Sequence, residues 1–161
     1  MQKYVFLIVV FLSTFACASK KETSKSFSTN TKVSPVAQKA VKAAWSYKGT
    51  KYKYGGISKK GIDCSGLMCQ AYKTAGVTLP RTSSAQSKFG VRKYIGELAP
   101  GDLVFFGAKP KSKKITHVGM VTRITKEGVF FIHASSSRGV IEDNLGSDYY
   151  RDRYVLARRI K

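Results

Sequence analysis

The stretch Gly61-Ile62-Asp63-Cys64-Ser65-Gly66-Leu67-Met68-Cys69-Gln70-Ala71-Tyr72 leads from a glycine-rich loop into a helix. Asp63 can cap that helix, because its carboxylate can accept hydrogen bonds from free backbone N–H groups of the first turn. Apolar residues then recur at helical spacing, and Gly76 predicts the end of the helix. Cys64 therefore lies in the first turn, where N–H groups and the helix dipole favour a thiolate. It is a candidate nucleophile, and a buried inert thiol is the alternative.

Helices are predicted before this point and strands after it. A first helix is expected to start at Ser34-Pro35 and to end by Gly49, and a short helix is expected over 84–88. Apolar runs separated by turn residues predict five strands, over 102–106, 117–124, 129–134, 140–143 and 154–160. Their short connections favour antiparallel pairing. The sequence thus predicts an α+β domain over 35–161, with N-terminal helices packed on an antiparallel sheet of about five strands.

The first 34 residues are expected to serve export and attachment. A positive start and an apolar run of about a dozen residues are typical of a secretion signal, and the run is shorter than the roughly 20 residues of a spanning helix. Cys17 resembles the lipobox cysteine of bacterial lipoproteins, which becomes the acylated first residue. Thr14 replaces the usual aliphatic residue, so cleavage without lipidation is the alternative. Residues 1–16 are predicted to be a signal peptide, and 17–34 a lipid-attachment cysteine with a flexible polar tether.

The composition indicates one globular domain with a strongly basic surface. The chain has 161 residues, 43% of them hydrophobic, which excludes a wholly disordered or collagen-like protein. Lys and Arg number 29 against 9 Asp and Glu, a formal net charge of +20. Such a charge attracts acidic partners. An exported protein is separated from nucleic acid, so cell-wall polymers and anionic lipid are the expected partners, with a generally solvated basic surface as the alternative.

The other cysteine of the helix, Cys69, is expected to be a small packing residue. It lies five residues after Cys64, about 140° further around the helix, so the two side chains diverge and no disulfide is expected. A zinc ion held by Cys64, His117 and His133 is an alternative arrangement. The spacing of these residues matches no common zinc motif, so no metal is expected.

The two histidines of the chain supply the partners that a nucleophilic cysteine needs. A cysteine peptidase requires a general base and a third polar group that orients it. His117 and His133 both lie on predicted strands. If 125–127 form a three-residue hairpin loop, residue 119 faces residue 133, and both histidines lie on one face of the sheet. A two-residue loop would separate them.

Six strings in order resemble the NlpC-type cell-wall endopeptidases, papain-like cysteine peptidases that cut peptidoglycan stem peptides. The strings are Tyr52-Lys53-Tyr54-Gly55-Gly56, Gly61-Ile62-Asp63-Cys64-Ser65-Gly66-Leu67, Leu79-Pro80-Arg81-Thr82-Ser83, Leu98-Ala99-Pro100-Gly101-Asp102-Leu103-Val104-Phe105-Phe106, His117-Val118-Gly119-Met120 and Ile132-His133-Ala134-Ser135. Any one of them could arise by chance, whereas six in the same order make the resemblance specific. It covers nearly all of 35–161 and implies a papain-like fold.

The resemblance also implies roles for individual residues. Cys64 would be the nucleophile, His117 the general base and then acid, and His133 the residue that orients His117. Tyr52 matches a tyrosine that stabilises the oxyanion or orients the substrate, together with a backbone N–H near Cys64. Asp102, in a Pro-Gly-Asp turn, is expected to stabilise that turn rather than to act in catalysis.

Four further positions match substrate contacts of the family. Asp63, Ser65 and Ser83 correspond to residues that, in relatives recognising a free stem-peptide N-terminus, hold its ammonium group. Asp63 and Ser65 are also ordinary residues for the start of a helix. Arg81 matches a common family arginine that can bind a substrate carboxylate, and a surface ion pair is the alternative.

By resemblance, the expected reaction is hydrolysis of the bond between D-γ-glutamate and a diamino acid, either meso-diaminopimelate or lysine, through an acyl-enzyme and without a cofactor. The expected protein is a monomer, exported and lipid-anchored in the bacterial envelope, on the periplasmic side of the outer membrane if the source is Gram-negative. The alternatives are a non-catalytic peptidoglycan-binding lipoprotein, or an amidase or transpeptidase on the same fold.

Overall fold

The structure is a computed structural model that describes residues 33–161. The predicted signal peptide, Cys17 and nearly all of the predicted tether lie outside the described residues. The helices are α1 (Pro35–Trp45), α2 (Cys64–Thr74), α3 (Ser83–Gln86) and α4 (Asp148–Arg151), with a 3-10 turn at Ile95–Glu97. Within 33–161, no helix has the length and apolar character needed to cross a membrane.

The strands form a two-stranded hairpin and one large antiparallel sheet. The hairpin consists of β1 (Ile57–Ser58) and β2 (Gly61–Ile62). The strands of the large sheet are β3 (Val91–Lys93), β4 (Leu103–Gly107), β5 (Ile115–Thr125), β6 (Gly128–Ser135), β7 (Gly139–Asn144) and β8 (Tyr154–Arg159). Their order is β3-β8-β4-β5-β6-β7. The α+β prediction is confirmed, with six strands in this sheet instead of about five.

The helix starts follow the capping residues of the sequence. Ser34 accepts a hydrogen bond from the backbone N–H of Ala37 at 3.1 Å, and Pro35 occupies the first position of α1, where its missing N–H does no harm. α1 ends at Trp45, and turns carry the chain on to Gly49, whose φ is +83°. α3 starts and ends earlier than predicted, because Thr82 caps it.

The sheet separates two apolar clusters, and β4 contributes to both. Leu103 and Phe105 belong to the cluster that contains the buried faces of α1 and α2. Val104 and Phe106 belong to the other cluster, together with Tyr150 near the end of α4. This alternation follows from the pleat of a strand that is buried on both faces. The sheet is therefore packed against apolar side chains on both faces.

Asp102 has the structural role that the sequence predicts. Its carboxylate is 1% exposed and accepts hydrogen bonds from the backbone N–H of Ala99 at 2.8 Å and from the guanidinium of Arg159 at 2.7 Å. These bonds join the turn before β4 to β8. Buried charges need such partners, so the carboxylate is fully accounted for by the fold.

Candidate active site

Cys64 occupies the first position of α2 and is nearly buried, with 8% of its surface exposed. Asp63 has extended backbone geometry and caps the helix, accepting from the backbone N–H of Gly66 at 2.6 Å. The loop that carries Tyr52 is held against β2, because Lys51 accepts from the N–H of Ile62 and Lys53 donates to its carbonyl. Tyr52 and Cys64 consequently line the same cavity.

Gly66 allows the first turn of α2 to approach the preceding glycine loop. A Cβ atom at Gly66 would lie 2.4 Å from the carbonyl oxygen of Gly56. That carbonyl also accepts a hydrogen bond from the N–H of Asp63 at 3.2 Å, so it is fixed in place. The glycine that follows Cys64 by two residues is therefore required by close backbone approach.

The hairpin that carries both histidines has a different turn from the predicted one. β5 and β6 are joined by the two residues Lys126 and Glu127, so the expected three-residue loop is wrong. The expectation that a two-residue loop would separate the histidines is also wrong, because a bulge at Thr122 restores the register. Arg123 pairs with Phe130, whereas Val121 pairs with Phe131. Beyond the bulge the two strands follow the predicted register, and the rings of His117 and His133 meet.

The two histidines form the first links of a hydrogen-bond chain. Nε2 of His117 lies 2.9 Å from Nδ1 of His133, and Nε2 of His133 lies 3.0 Å from a carboxylate oxygen of Asp143. The hydroxyl of Tyr150 donates to the same oxygen of Asp143 at 2.8 Å and lies 3.2 Å from Nε2 of His133. Arg138 forms an ion pair with Asp143 at 2.6 Å.

This chain of hydrogen bonds determines which nitrogen of each histidine ring carries a proton. An ionised carboxylate can only accept, so Asp143 requires a proton on Nε2 of His133. Nδ1 of His133 is then an acceptor, which requires a proton on Nε2 of His117. Nδ1 of His117 is left with a free lone pair. It is the one ring nitrogen of the pair that is available as a base.

Asp143, Tyr150 and Arg138 are functional candidates that the sequence analysis missed. His133 pairs with Ile141 across β6 and β7, so Asp143 is the diagonal neighbour of His133, two residues further along the strand. An acidic residue at that offset, on the same face of the sheet as His133, was a usable signal. Tyr150 and Arg138 come from a helix and a turn whose positions the sequence does not determine.

Burial is the largest cause of the pKa shifts of both Cys64 and His117. Burial raises the pKa of the Cys64 thiol above its usual 9.0, although backbone N–H groups of Val118, Ser65 and Cys64 itself favour the thiolate. The expected lowering of this pKa by the helix start is therefore outweighed. Burial and the neighbouring His133 lower the pKa of His117 to about 3, and burial lowers that of His133 despite Asp143. The resting site holds a neutral thiol and neutral imidazoles.

Two cavities meet at Cys64. The first, of about 250 Å³, is lined by Cys64 and both histidines. The second, of about 490 Å³, is lined by Asp63, Ser65, Arg81 and Ser83. Tyr52, Cys64 and Thr116 line both. An extended ligand that crossed Cys64 would have room on either side of the sulfur atom.

The predicted substrate contacts form one cluster in the second cavity. Arg81 binds both oxygens of Asp63, at 3.0 and 2.6 Å, and donates to Ser65 at 2.9 Å. Asp63 also accepts from the backbone N–H groups of Gly55 and Gly66. Burial alone would raise the pKa of Asp63, but these donors hold it below its usual range. Ser83 begins α3 and lines the same cavity.

Two further features of the described residues concern Cys69 and the alternative of a zinc site. Cys64 and Cys69 are both free thiols, and the sulfur of Cys69 lies 3.4 Å from Nε2 of Gln86. Over residues 33–161, no three side chains among His, Cys, Asp and Glu are grouped in a way that could hold a metal ion. The described structure therefore offers no support for the zinc arrangement.

Comparison with known proteins identifies the family of the chain. The model of the NlpC/P60 family matches residues 49–159. The chain is 41% identical over 124 residues to the bifunctional muramidase/DL-endopeptidase CwlT of Bacillus subtilis, a match that covers 75% of this chain and 36% of CwlT. It is 37% identical over 116 residues to the probable endopeptidase NlpC of Escherichia coli, covering 71% and 72% of the two chains.

A solved structure shares the fold. An NlpC/P60 family protein from Bacillus cereus superposes with a TM-score of 0.71 at 33% identity, over 78% of this chain and 40% of that protein. The chain thus spans little more than a third of CwlT, two fifths of the solved protein and most of NlpC. Since the family model matches more than half of its residues, the chain belongs to the NlpC/P60 family of cysteine peptidases.

Proposed function

We propose that the protein is a peptidoglycan endopeptidase that hydrolyses the stem peptide between D-γ-glutamate and the diamino acid. One observation carries the proposal: Cys64 and His117 line one cavity, and the chain to His133 and Asp143 leaves Nδ1 of His117 as a free base. The relative CwlT is named a DL-endopeptidase, which supports a bond between a D and an L residue.

The proposed reaction begins from the neutral pair. The sulfur of Cys64 attacks the scissile carbonyl carbon while Nδ1 of His117 takes the thiol proton. The hydroxyl of Tyr52 and a backbone N–H near Cys64 stabilise the resulting oxyanion. The C–N bond then breaks, and His117 gives its proton to the leaving amine. A thioester joins the acyl fragment to Cys64.

Water completes the cycle. His117, again neutral, takes a proton from a water molecule that attacks the thioester carbonyl. The C–S bond breaks, the new carboxylic acid leaves, and the proton returns to the sulfur of Cys64. His133 orients His117 throughout, and Asp143 stabilises the positive charge that forms on the paired rings. No step needs a metal or an organic cofactor.

The second cavity is proposed to hold the acyl side of the substrate, with Asp63, Ser65, Arg81 and Ser83 as its polar contacts. Both oxygens of Asp63 already bind Arg81. A substrate ammonium group must therefore share that carboxylate with the guanidinium. The lining hydroxyl groups of Ser65 and Ser83 can supply further acceptors.

Mass spectrometry of purified muropeptides, incubated with the full-length protein in detergent under reducing conditions, tests the function. We expect fragments cut after D-γ-glutamate, and no fragments with Cys64→Ala. Cys69→Ala is the matched control, because it removes the other thiol of α2 and should keep the activity. Cutting at another bond would indicate an amidase, joined peptides a transpeptidase, and binding without cutting a non-catalytic protein.

We further propose that the protein is exported and anchored in the cell envelope by lipid on Cys17, which would place the enzyme near its polymer substrate. The apolar run before Cys17 and the polar residues after it support this. Fractionation of cells should find the protein in membranes. Cys17→Ala should release it into the soluble fraction, and an unchanged distribution would contradict the anchor.

A further inference from the structure

Arg153 is a cation in the first cavity that the proposed reaction does not use. It lies between α4 and β8, and its side chain lines the cavity together with Cys64 and His117. It is the only Lys or Arg among the described residues that line this cavity. A guanidinium in the same cavity as Cys64 can bind an anionic group of a ligand there.

The guanidinium of Arg153 is held in place but lacks an anionic partner. It stacks 3.9 Å from the ring centre of Tyr149 and donates to the carbonyl of that residue at 3.0 Å. Its Nε is buried and has no hydrogen-bond partner among the described residues. Five other arginines of residues 33–161, in contrast, pair with carboxylates: Arg81, Arg123, Arg138, Arg151 and Arg159. A buried, unused N–H donor is costly unless a ligand satisfies it.

The cavity can be assigned to one side of the scissile bond. His117 must give its proton to the leaving amine, and it lines the first cavity but not the second. The leaving fragment therefore lies in the first cavity. Its first residue, which carries the new amino group, therefore shares this cavity with Arg153.

We propose that Arg153 determines specificity by binding a carboxylate of the leaving fragment. The inference rests on the proposed function. A planar guanidinium with free donors matches a carboxylate better than any neutral group. In a stem peptide, the carboxylate comes either from the side chain of a diamino acid such as meso-diaminopimelate or from the C-terminus of a tripeptide. Arg153 then favours a stem that carries that carboxylate over one in which it is absent or amidated.

Two pairs of synthetic peptides test the proposal with the full-length protein in detergent. In the first pair, an L-alanyl-γ-D-glutamyl-diaminopimelyl-D-alanine amide carries its side-chain carboxylate either free or as an amide. In the second pair, an L-alanyl-γ-D-glutamyl-L-lysine tripeptide ends in a free acid or an amide. The measurement is the ratio of kcat/KM between the acid and the amide within each pair. The pair that shows discrimination identifies which carboxylate is bound.

We expect the wild-type protein to favour the acid in one pair by about tenfold to a hundredfold, as for a hydrogen-bonded ion pair. Arg153→Gln should bring this ratio to below about threefold, and Arg153→Lys should keep part of it. Arg151→Gln is the matched control, because Arg151 does not line the cavity and pairs with Asp148. Circular dichroism checks that each variant is folded.

Several outcomes overturn the proposal. A wild-type ratio near one in both pairs would show that no carboxylate is selected. Equal losses on acid and amide in Arg153→Gln would indicate a structural role. If amides are cut but the ratios are unaffected by Arg153, the endopeptidase function stands and this inference fails. If no peptide is cut, the proposed function and the inference fail together.

Discussion

At Asp143, one carboxylate decides which nitrogen of His117 can accept a proton. Its oxygen lies 3.0 Å from Nε2 of His133, and Tyr150 and Arg138 donate to the same carboxylate. Burial alone would raise the pKa of Asp143, but these donors together hold it below its usual range. Asp143 thus stays ionised at neutral pH, and the tautomers of both histidines follow from it.

Asp143→Asn should therefore lower kcat by about a hundredfold and change KM little. An asparagine amide can donate to His133, which reverses both tautomers and puts a proton on the Nδ1 that must act as the base. Steady-state kinetics on a stem peptide measure the effect. The control is Glu142→Gln, since Glu142 is the neighbouring acid of β7 but pairs with Arg123. Equal losses in both variants would contradict the assignment.

The pH dependence of activity follows from the directions of the pKa shifts. In the proposed reaction, the active form has a neutral His117 and a protonated thiol. With the pKa of His117 lowered to about 3 and that of Cys64 raised above 9.0, kcat/KM should be flat from about pH 5 to pH 9 and decrease outside that range. An acid limb at pH 6.5, the ordinary value of histidine, would contradict the buried neutral pair.

The same shifts predict the pH dependence of stability. The unfolded chain binds protons at its histidines near pH 6.5, whereas folded His117 resists protonation down to about pH 3. The contribution of this residue to the free energy of unfolding is therefore full above pH 6.5 and is lost as the pH decreases toward 3. Initial rates at low pH should accordingly be measured before the protein unfolds.

At this scale, the sequence indicates the candidate catalytic residues but not their environment. Cys64 is recognisable from its place after a capping residue, and both histidines from their strands. Its pKa could not be predicted, because burial, which depends on the packing of the whole sheet, exceeds the local effect of the helix start. Arg153 is also absent from the six sequence motifs, because only folding brings it to the cavity that Cys64 lines.

At the scale of elements, the strands are predictable and their connections are not. All five predicted strands are present, with ends within two residues of the expected positions, because apolar runs between turn residues leave few alternatives. Three strands were not predicted: the two-residue strands β1 and β2, and β3, a short edge strand with two basic residues. The bulge at Thr122 has no signal in the hydrophobic pattern, although it decides whether the histidines meet.

Gly66 provides a test of the contact between α2 and the glycine loop. Gly66→Ala should lower the Tm by about 5–10 °C, because the new methyl group would lie 2.4 Å from a fixed backbone carbonyl. Gly96→Ala is the control, since a Cβ atom there has no neighbour within 4 Å. Thermal unfolding followed by circular dichroism measures both. An unchanged Tm in Gly66→Ala would mean that the loop can move away.

At the scale of the whole molecule, the order of the motifs predicts the family, and the family matches 49–159. The fold brings the first turn of α2 next to strands β5 and β6, and β7 pairs with β6. Residues 64, 117, 133 and 143 therefore lie close together although they are far apart in the sequence. The same assembly places one cavity on each side of Cys64. The central claim is that a stem peptide crosses this point and becomes attached to the sulfur of Cys64.

Trapping the acyl-enzyme tests that claim most directly. The full-length protein is mixed with an L-alanyl-γ-D-glutamyl-diaminopimelyl peptide, quenched in acid during turnover, digested and analysed by mass spectrometry. We predict that fragmentation of the peptide 61–73, which contains both cysteines, places an L-alanyl-γ-D-glutamyl group on Cys64 and none on Cys69. Cleavage of the substrate with no adduct on Cys64 in the wild-type protein, together with retained cleavage by Cys64→Ala, would contradict the account.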